Sequence, residues 1–205
     1  MAGRGRSDAL PSVAVDSRAI PTIGVDYAYL TARTDDISPS PILVTNNNVS
    51  GKVTGHVLTS KGTGDPYSIE QLACILRDAG HTKLRLKSDR EPAIMDLKTQ
   101  ASAIVRARHS LDIIPEESPE YEHQSNGAAE VAVREVKAQA RSRRLVVEEL
   151  HKCKLGAEHI VLPWMVACGA TMINRCRIGA DGLTAHQRQY GRPHRNKLSQ
   201  FSEKV

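Results

Sequence analysis

The segment Ile20 to Leu30, IPTIGVDYAYL, decides the fold. It alternates: Ile23, Val25, Tyr27 and Tyr29 fall on one face of an extended chain, and Gly24, Asp26 and Ala28 on the other. β-Branched and aromatic residues favour a strand, and an aspartate inside a strand needs a reason, because a buried charge is costly unless it is paired. Outward from this segment, PILVT (Pro41 to Thr45) and KVTGHVLT (Lys52 to Thr59) predict two more strands, and the intervening NNNVSG is turn chemistry, so the three form an antiparallel meander. The period then changes. Between Ser68 and Gly80, Ile69, Leu72, Ile75 and Leu76 share a helical stripe, with Ser68 as N-cap and Gly80 closing the helix. KLRLKSD follows as a strand that ends at Asp89, with Leu84 and Leu86 facing one way. Pro92 opens a helix carrying Ile94, Leu97, Ala101, Ile104 and Val105. Leu111 to Ile114 predicts a short strand, about Ala128 to His151 a long helix, Leu162 to Arg177 the last major helix and Thr184 to Tyr190 a short one. Three strands, helix, strand, helix, strand and then helices is an α/β order, a mixed sheet of three antiparallel strands plus two further strands flanked by helices.

A chain of 205 residues buries a core without covalent staples. The four cysteines, Cys74, Cys153, Cys168 and Cys176, form no C-x-x-C pair, and three fall in helical segments; they read as reduced, mostly buried thiols of an intracellular protein. His151, Cys153, His159, Cys168 and Cys176 lack zinc-site spacing, so no zinc is expected. The net charge of +5 suits a polyanionic partner. Aromatic residues are only 3% of the chain, which disfavours base-stacking platforms and leaves phosphate contact as the mode. Ile160 to Ile173 is the longest apolar stretch; Pro163 interrupts it, and it falls short of the roughly 20 residues that cross a bilayer. Residues 1–19 mix Gly, Arg, Ser, Pro and Asp without period and read as a flexible tail without an export signal.

Carboxylates at strand ends can converge, because neighbouring strands run about 5 Å apart. Asp26 lies in the first strand and Asp89 at the end of another, and a third acid from a packed helix would complete an oxygen cage for a divalent cation. Taken singly, Asp89 also reads as a helix cap ahead of Glu91-Pro92 and Asp26 as a stray polar residue; spacing alone leaves this open. KGTGD at Lys61 lacks the order of a phosphate-binding loop and reads as a turn, and Ser118, His123 and Ser125 make no Ser/His/Asp arrangement.

The segments VDYAYL, LKSDREPAI and SPEYEHQSNGAAEVAVREVK resemble the three blocks of the retroviral and retrotransposon integrase core, an RNase H-like fold with a triad of two aspartates and a glutamate. Gly179 to Pro193, GADGLTAHQRQYGRP, is similar to the block that follows the core in copia-type elements. The resemblance runs from about Pro21 to the C-terminus and implies a core over residues 20–178 and an extension with a short helix over residues 179–205. Mapped residue by residue, it makes Asp26, Asp89 and Glu130 the catalytic metal ligands. Glu120, Glu122 and Glu135 are rival third acids, but none stands three residues after Asn126-Gly127. The loop before Glu130 is a few residues longer than in retroviral integrases. The implied activity is DNA 3′-end processing and strand transfer with Mg²⁺ or Mn²⁺, two ions roughly 3.5 to 4 Å apart serving the attacking and leaving oxygens. Double-stranded DNA, both element ends and target, is the implied partner, the chain a homo-oligomer without a membrane, and its place of action the nucleus. An inactive or domesticated core that binds DNA or protein is the alternative, and a fourth acid, Glu91 or Asp112, would point to an RNA-strand nuclease instead.

Gln124 and Asn126 are candidate DNA contacts within the third block. On the helix that follows, Arg134, Lys137 and Arg141 stand four, seven and eleven residues after Glu130 and share its face, while Ala129, Val133, Val136 and Ala140 make the adjoining apolar stripe. One face would meet the core and the other DNA phosphates, although a solvated charged face has the same pattern.

Overall fold

The computed structural model describes residues 20–30, 40–118, 127–156 and 159–196. Strand β1 (Thr22–Tyr29) lies third of five in a sheet completed by β2 (Pro41–Asn47), β3 (Val53–Val57), β4 (Lys83–Ser88) and β5 (Asp112–Glu117), in the order β3-β2-β1-β4-β5. β1 pairs antiparallel with β2, and β2 with β3, as the meander predicts. β4 and β5 join the other side in parallel. Each parallel connection carries a helix, because a parallel crossover needs one: α1 (Pro66–Asp78) before β4 and α2 (Pro92–His109) before β5. After β5 come α3 (Gly127–Leu150), α4 (Leu162–Cys176) and α5 (Ala185–Tyr190).

The alternation of β1 sorts the two layers. Ile23, Val25 and Tyr27 bury into the side covered by α1 and α2, with Leu72, Leu76, Leu84, Leu86, Leu97 and Ile113. Ala28, Ile42, Val44 and Val53 face α3 and α4, against Ala132, Val136, Ala140, Val166 and Ala170. Small residues on that stripe bring α3 close to the sheet. Gly55 carries this furthest: a Cβ there would stand 3.0 Å from methyls of both Val136 and Val166. The free edge of β3 is closed by a side chain, since Asn174 of α4 accepts from Val53 N–H at 2.8 Å and donates to Val53 O at 2.7 Å. At the far end of α3, Glu148 is only 6% exposed. Its Oε1 accepts from Arg144 Nε and Leu155 N–H, both at 3.0 Å, which ties down the turn into α4.

Several boundaries differ from expectation for definable reasons. Asp65, not Ser68, caps α1: its carboxylate accepts from Tyr67 N–H at 2.9 Å and Pro66 takes the first turn, while Ser68 is buried and donates to Gly62 O at 2.8 Å. β5 continues through Pro115 to Glu117, where a proline is tolerated because β5 is an edge strand. On α3, Ala132 is buried and Val133 only partly so, which turns the apolar stripe slightly from the expected one. The cysteines are all free thiols, but the expectation of burial fails: Cys153 lies past the end of α3 and Cys176 at the last position of α4, both exposed, and Cys74 and Cys168 are half-buried. No helix among the described residues is long and apolar enough to cross a membrane.

Candidate metal and nucleic-acid site

In the parallel pair β1–β4, Ile23 stands opposite Leu86 and Gly24 opposite Lys87. Two residues further along each chain are Asp26 and Asp89. The paired register ends at Gly24 and Lys87 and Asp89 lies just past the end of β4, but the two chains leave it side by side, and the charge of Asp89 reaches Asp26. The third acid comes from the layer above. Gly24 shares a face with Asp26, and a Cβ on it would lie 3.4 Å from the Cβ of Ala129, so the first turn of α3 rests on β1 and presents Glu130 beside it. Asn46 of β2 anchors this turn by donating to Ala128 O at 3.1 Å.

The carboxyl of Asp26 is raised from 3.8 to about 6. Burial is the first cause and the charge of Asp89 the second; Glu130 and Glu91 add to it, and the Tyr27 N–H opposes it. The charges of the other two mapped acids, Asp89 and Glu130, therefore both act on Asp26. Among the described residues, Asp26, Asp89 and Glu130 included, no group of three or more His, Cys, Asp or Glu side chains is placed so that it could hold a metal ion. The neighbouring pair Asp26 and Asp89 nevertheless fits a hard divalent cation, because Mg²⁺ is usually held by one or two carboxylates together with substrate phosphate oxygens. Burial and like charge, which raise Asp26, are what such a cation offsets.

Asp89 does not cap α2. The cap position is Glu91, which makes no side-chain cap bond, and Asp89 Oδ1 only accepts from Glu91 N–H at 3.3 Å. Two lysines that sequence patterning passed over stand around this strand end. Lys98 of α2 is 4% exposed. It donates to Ser88 Oγ at 3.0 Å and Glu116 O at 2.8 Å, and Ser88 Oγ donates in turn to Asp89 O at 2.8 Å, so a buried relay holds the backbone of Asp89. Burial pushes the Lys98 ammonium down, while Glu117, Asp89 and Glu116 hold it up. Lys61, from the KGTGD turn, binds Glu91 Oε1 at 2.6 Å and lies 5.2 and 5.3 Å from the ring centres of Tyr27 and Tyr29. Glu91 is thereby paired. Asp112 bonds Lys83 at 3.0 Å where β4 and β5 begin, about 20 Å of strand away from Asp89. Asp112 is thus remote from Asp26, whereas Glu91, whose charge reaches Asp26, is engaged by Lys61.

Further along α3, Arg134 and Arg141 are exposed and Lys137 is partly buried, on the face that begins with Glu130. Burial lowers the Lys137 ammonium first, and the charge of Arg141 lowers it further. Glu135, a rival third acid, is instead paired with Arg177, the residue that caps the C-terminal end of α4. Gln124 and Asn126, and the rivals Glu120 and Glu122, lie outside the described residues.

Neither a family model nor a curated protein sequence matches this chain. Solved structures do. The catalytic core domain of BIV integrase is 20% identical with a TM-score of 0.50, over 81% of this chain and 91% of that one. The HTLV-2 integrase catalytic core domain in complex with magnesium, in a trimeric form, is 14% identical with a TM-score of 0.54, over 82% and 95%. A chain of the simian T-cell lymphotropic virus intasome in complex with PP2A regulatory subunit B56 gamma is 13% identical with a TM-score of 0.61, over 90% of this chain and 60% of that one. At these identities the likeness concerns the fold, and the five-stranded mixed sheet between its helices is the RNase H-like fold of retroviral integrase catalytic cores.

Proposed function

We propose that this chain is the catalytic core of a retroelement integrase, which cuts and joins DNA by phosphodiester transesterification. The observation that supports this reading is that β1 and β4 are parallel neighbours paired up to Gly24 and Lys87, two residues short of Asp26 and Asp89, with Ala129, next to Glu130, packed on Gly24, within an integrase-core fold. Each acid has a distinct task. Asp26 and Asp89 bind from the sheet, and Glu130 closes the site from α3 while the basic face of the same helix lies along the DNA backbone. When bound, a pair of Mg²⁺ or Mn²⁺ ions supplies charge neutralisation at the attacking and leaving oxygens. Lys98 and Ser88 hold the Asp89 backbone, so that the carboxylate does not have to reorganise.

The chain's partners on this reading are element ends and target duplex, at work in the nucleus. Exposed apolar side chains around the turn from α3 to α4, Leu150, Ile160 at 84% and Trp164 at 73%, support association with a second copy. The test is nicking and joining of a short duplex with and without Mg²⁺ or Mn²⁺, comparing wild type with Glu130→Gln. Metal-dependent product that falls by orders of magnitude in the variant is the expected result. Duplex binding without any product would make the chain a DNA-binding module, and equal product from both proteins would remove Glu130 from the site.

A further inference from the structure

Past α4 the chain folds back over its own end. Ile178 bridges Thr184, Thr184 and Gln187 cap α5 reciprocally, and Gly191, at φ +68°, turns the chain so that residues 192–196 return across the C-terminal end of α4. This lobe is fastened to the rest. Arg188 donates to Asp181 Oδ2 at 2.7 Å and Ser50 O at 3.1 Å, and Gln189 donates to Asp78 O at 2.8 Å. Between lobe and helix lies a cavity of about 630 Å³, lined by Arg175, His186, Arg192, His194, Arg195 and Asn196.

Its chemistry is one-sided, because among the described residues no carboxylate lines it. Asp181, the acid of the lobe, is occupied by Arg188, which holds its carboxyl down at about 2. Arg175, Arg192 and Arg195 form no ion pair among the described residues. His186 packs on Tyr190 at 4.7 Å and edge-on to His194 at 5.3 Å. Burial disfavours its protonated form first, and the charges of His194, Arg175, Arg192 and Lys52 then do so together, which reports how strongly cations converge here. Like charges in a concave surface repel unless an anion joins them, and guanidinium forks match the oxygens of a phosphate.

We infer that this cavity binds phosphate groups of the DNA backbone, as a second grip apart from the acids. The inference rests on the proposed action on DNA, and placement favours a duplex over a small phosphate ester. α4 ends beside the first turns of α3, where Arg177 meets Glu135, and Glu135 is only five residues, about 7.5 Å of helix rise, from Glu130. A duplex presents a charge every ~1.7 Å of its axis, so one molecule spans the basic face of α3 and this cavity.

Arg192→Gln/Arg195→Gln tests it, since both side chains lie beyond α5 and outside the core. One arm titrates inorganic phosphate while the His186 and His194 ring resonances are followed by NMR. The other measures duplex affinity against salt. Phosphate-dependent shifts that vanish in the variant, with the salt slope reduced by about 1.8, uphold the inference. Phosphate binding with an unchanged slope overturns the assignment to DNA, and no phosphate response overturns the site itself. Strand-joining activity tells the two proposals apart: if it is absent while both arms behave as expected, the catalytic reading fails and the cavity stands.

Discussion

Replacing Asp26 by asparagine should stabilise the protein while it abolishes strand cutting. A carboxyl raised from 3.8 to about 6 binds its proton more tightly folded than unfolded. That preference favours the folded chain fully below pH 3.8 and is lost as pH climbs through about 6, so at pH 8 the ionised group is a net cost. A shift of about 2.2 units corresponds to about 3 kcal/mol, and the water that Asp26 still touches reduces this to about 1.5 kcal/mol. Asparagine keeps the shape and omits the charge. Urea unfolding should therefore find Asp26→Asn about 1.5 kcal/mol more stable than wild type at pH 8, equivalent to roughly 3–6 °C in Tm, with the gap closing near pH 3.5. Millimolar Mg²⁺ should stabilise wild type more than the variant. A variant less stable than wild type at pH 8, or a gap of the same size at both pH values, would refute the reasoning that burial and neighbouring acids strain this carboxyl.

Lys98→Met should lower stability by about 1–3 kcal/mol in urea, since it strips Ser88 Oγ and Glu116 O of a buried donor, and it should slow strand cutting beyond the loss of folded protein because Asp89 is held less firmly; turnover per folded molecule equal to wild type would limit Lys98 to structure. Gly55→Ala should cost about 1–3 kcal/mol, measured by thermal melting, because its Cβ meets Val136 and Val166 at 3.0 Å, and an unchanged Tm would mean that α3 and α4 yield easily. Lys137→Ala/Arg141→Ala should weaken duplex binding about equally across DNA sequences and reduce the salt slope by roughly two, and an unchanged slope would return that face of α3 to ordinary solvated surface.

Element types were legible in the sequence because period and turn chemistry are local. Ile23, Val25 and Tyr27 alternate with Gly24, Asp26 and Ala28, and the strand forms where they do. Register was not legible that way. Nothing in VDYAYL or LKSDREPAI says that their strands are parallel neighbours with Gly24 opposite Lys87; only the resemblance to integrase blocks pairs the two aspartates beforehand. Residues whose role depends on tertiary packing stayed hidden. Lys98 looks like one more charge on an amphipathic helix until Ser88 and Glu116 are seen to enclose it, and Lys61 looks like turn punctuation until its ammonium meets Glu91. Pro115 ends a strand by local rule and continues one at a sheet edge. A helical segment does not by itself imply a buried face, and Cys176, at a helix end, is exposed.

If Asp26 and Asp89 together ligate a divalent cation, anomalous diffraction from crystals of the protein soaked in Mn²⁺ will locate it. A peak within about 2.3 Å of oxygens from both carboxylates, with Glu130 beside it, is the predicted result, and Asp89→Asn should erase it. A fully occupied Mn²⁺ peak elsewhere on the molecule, with nothing between Asp26 and Asp89, would contradict the account.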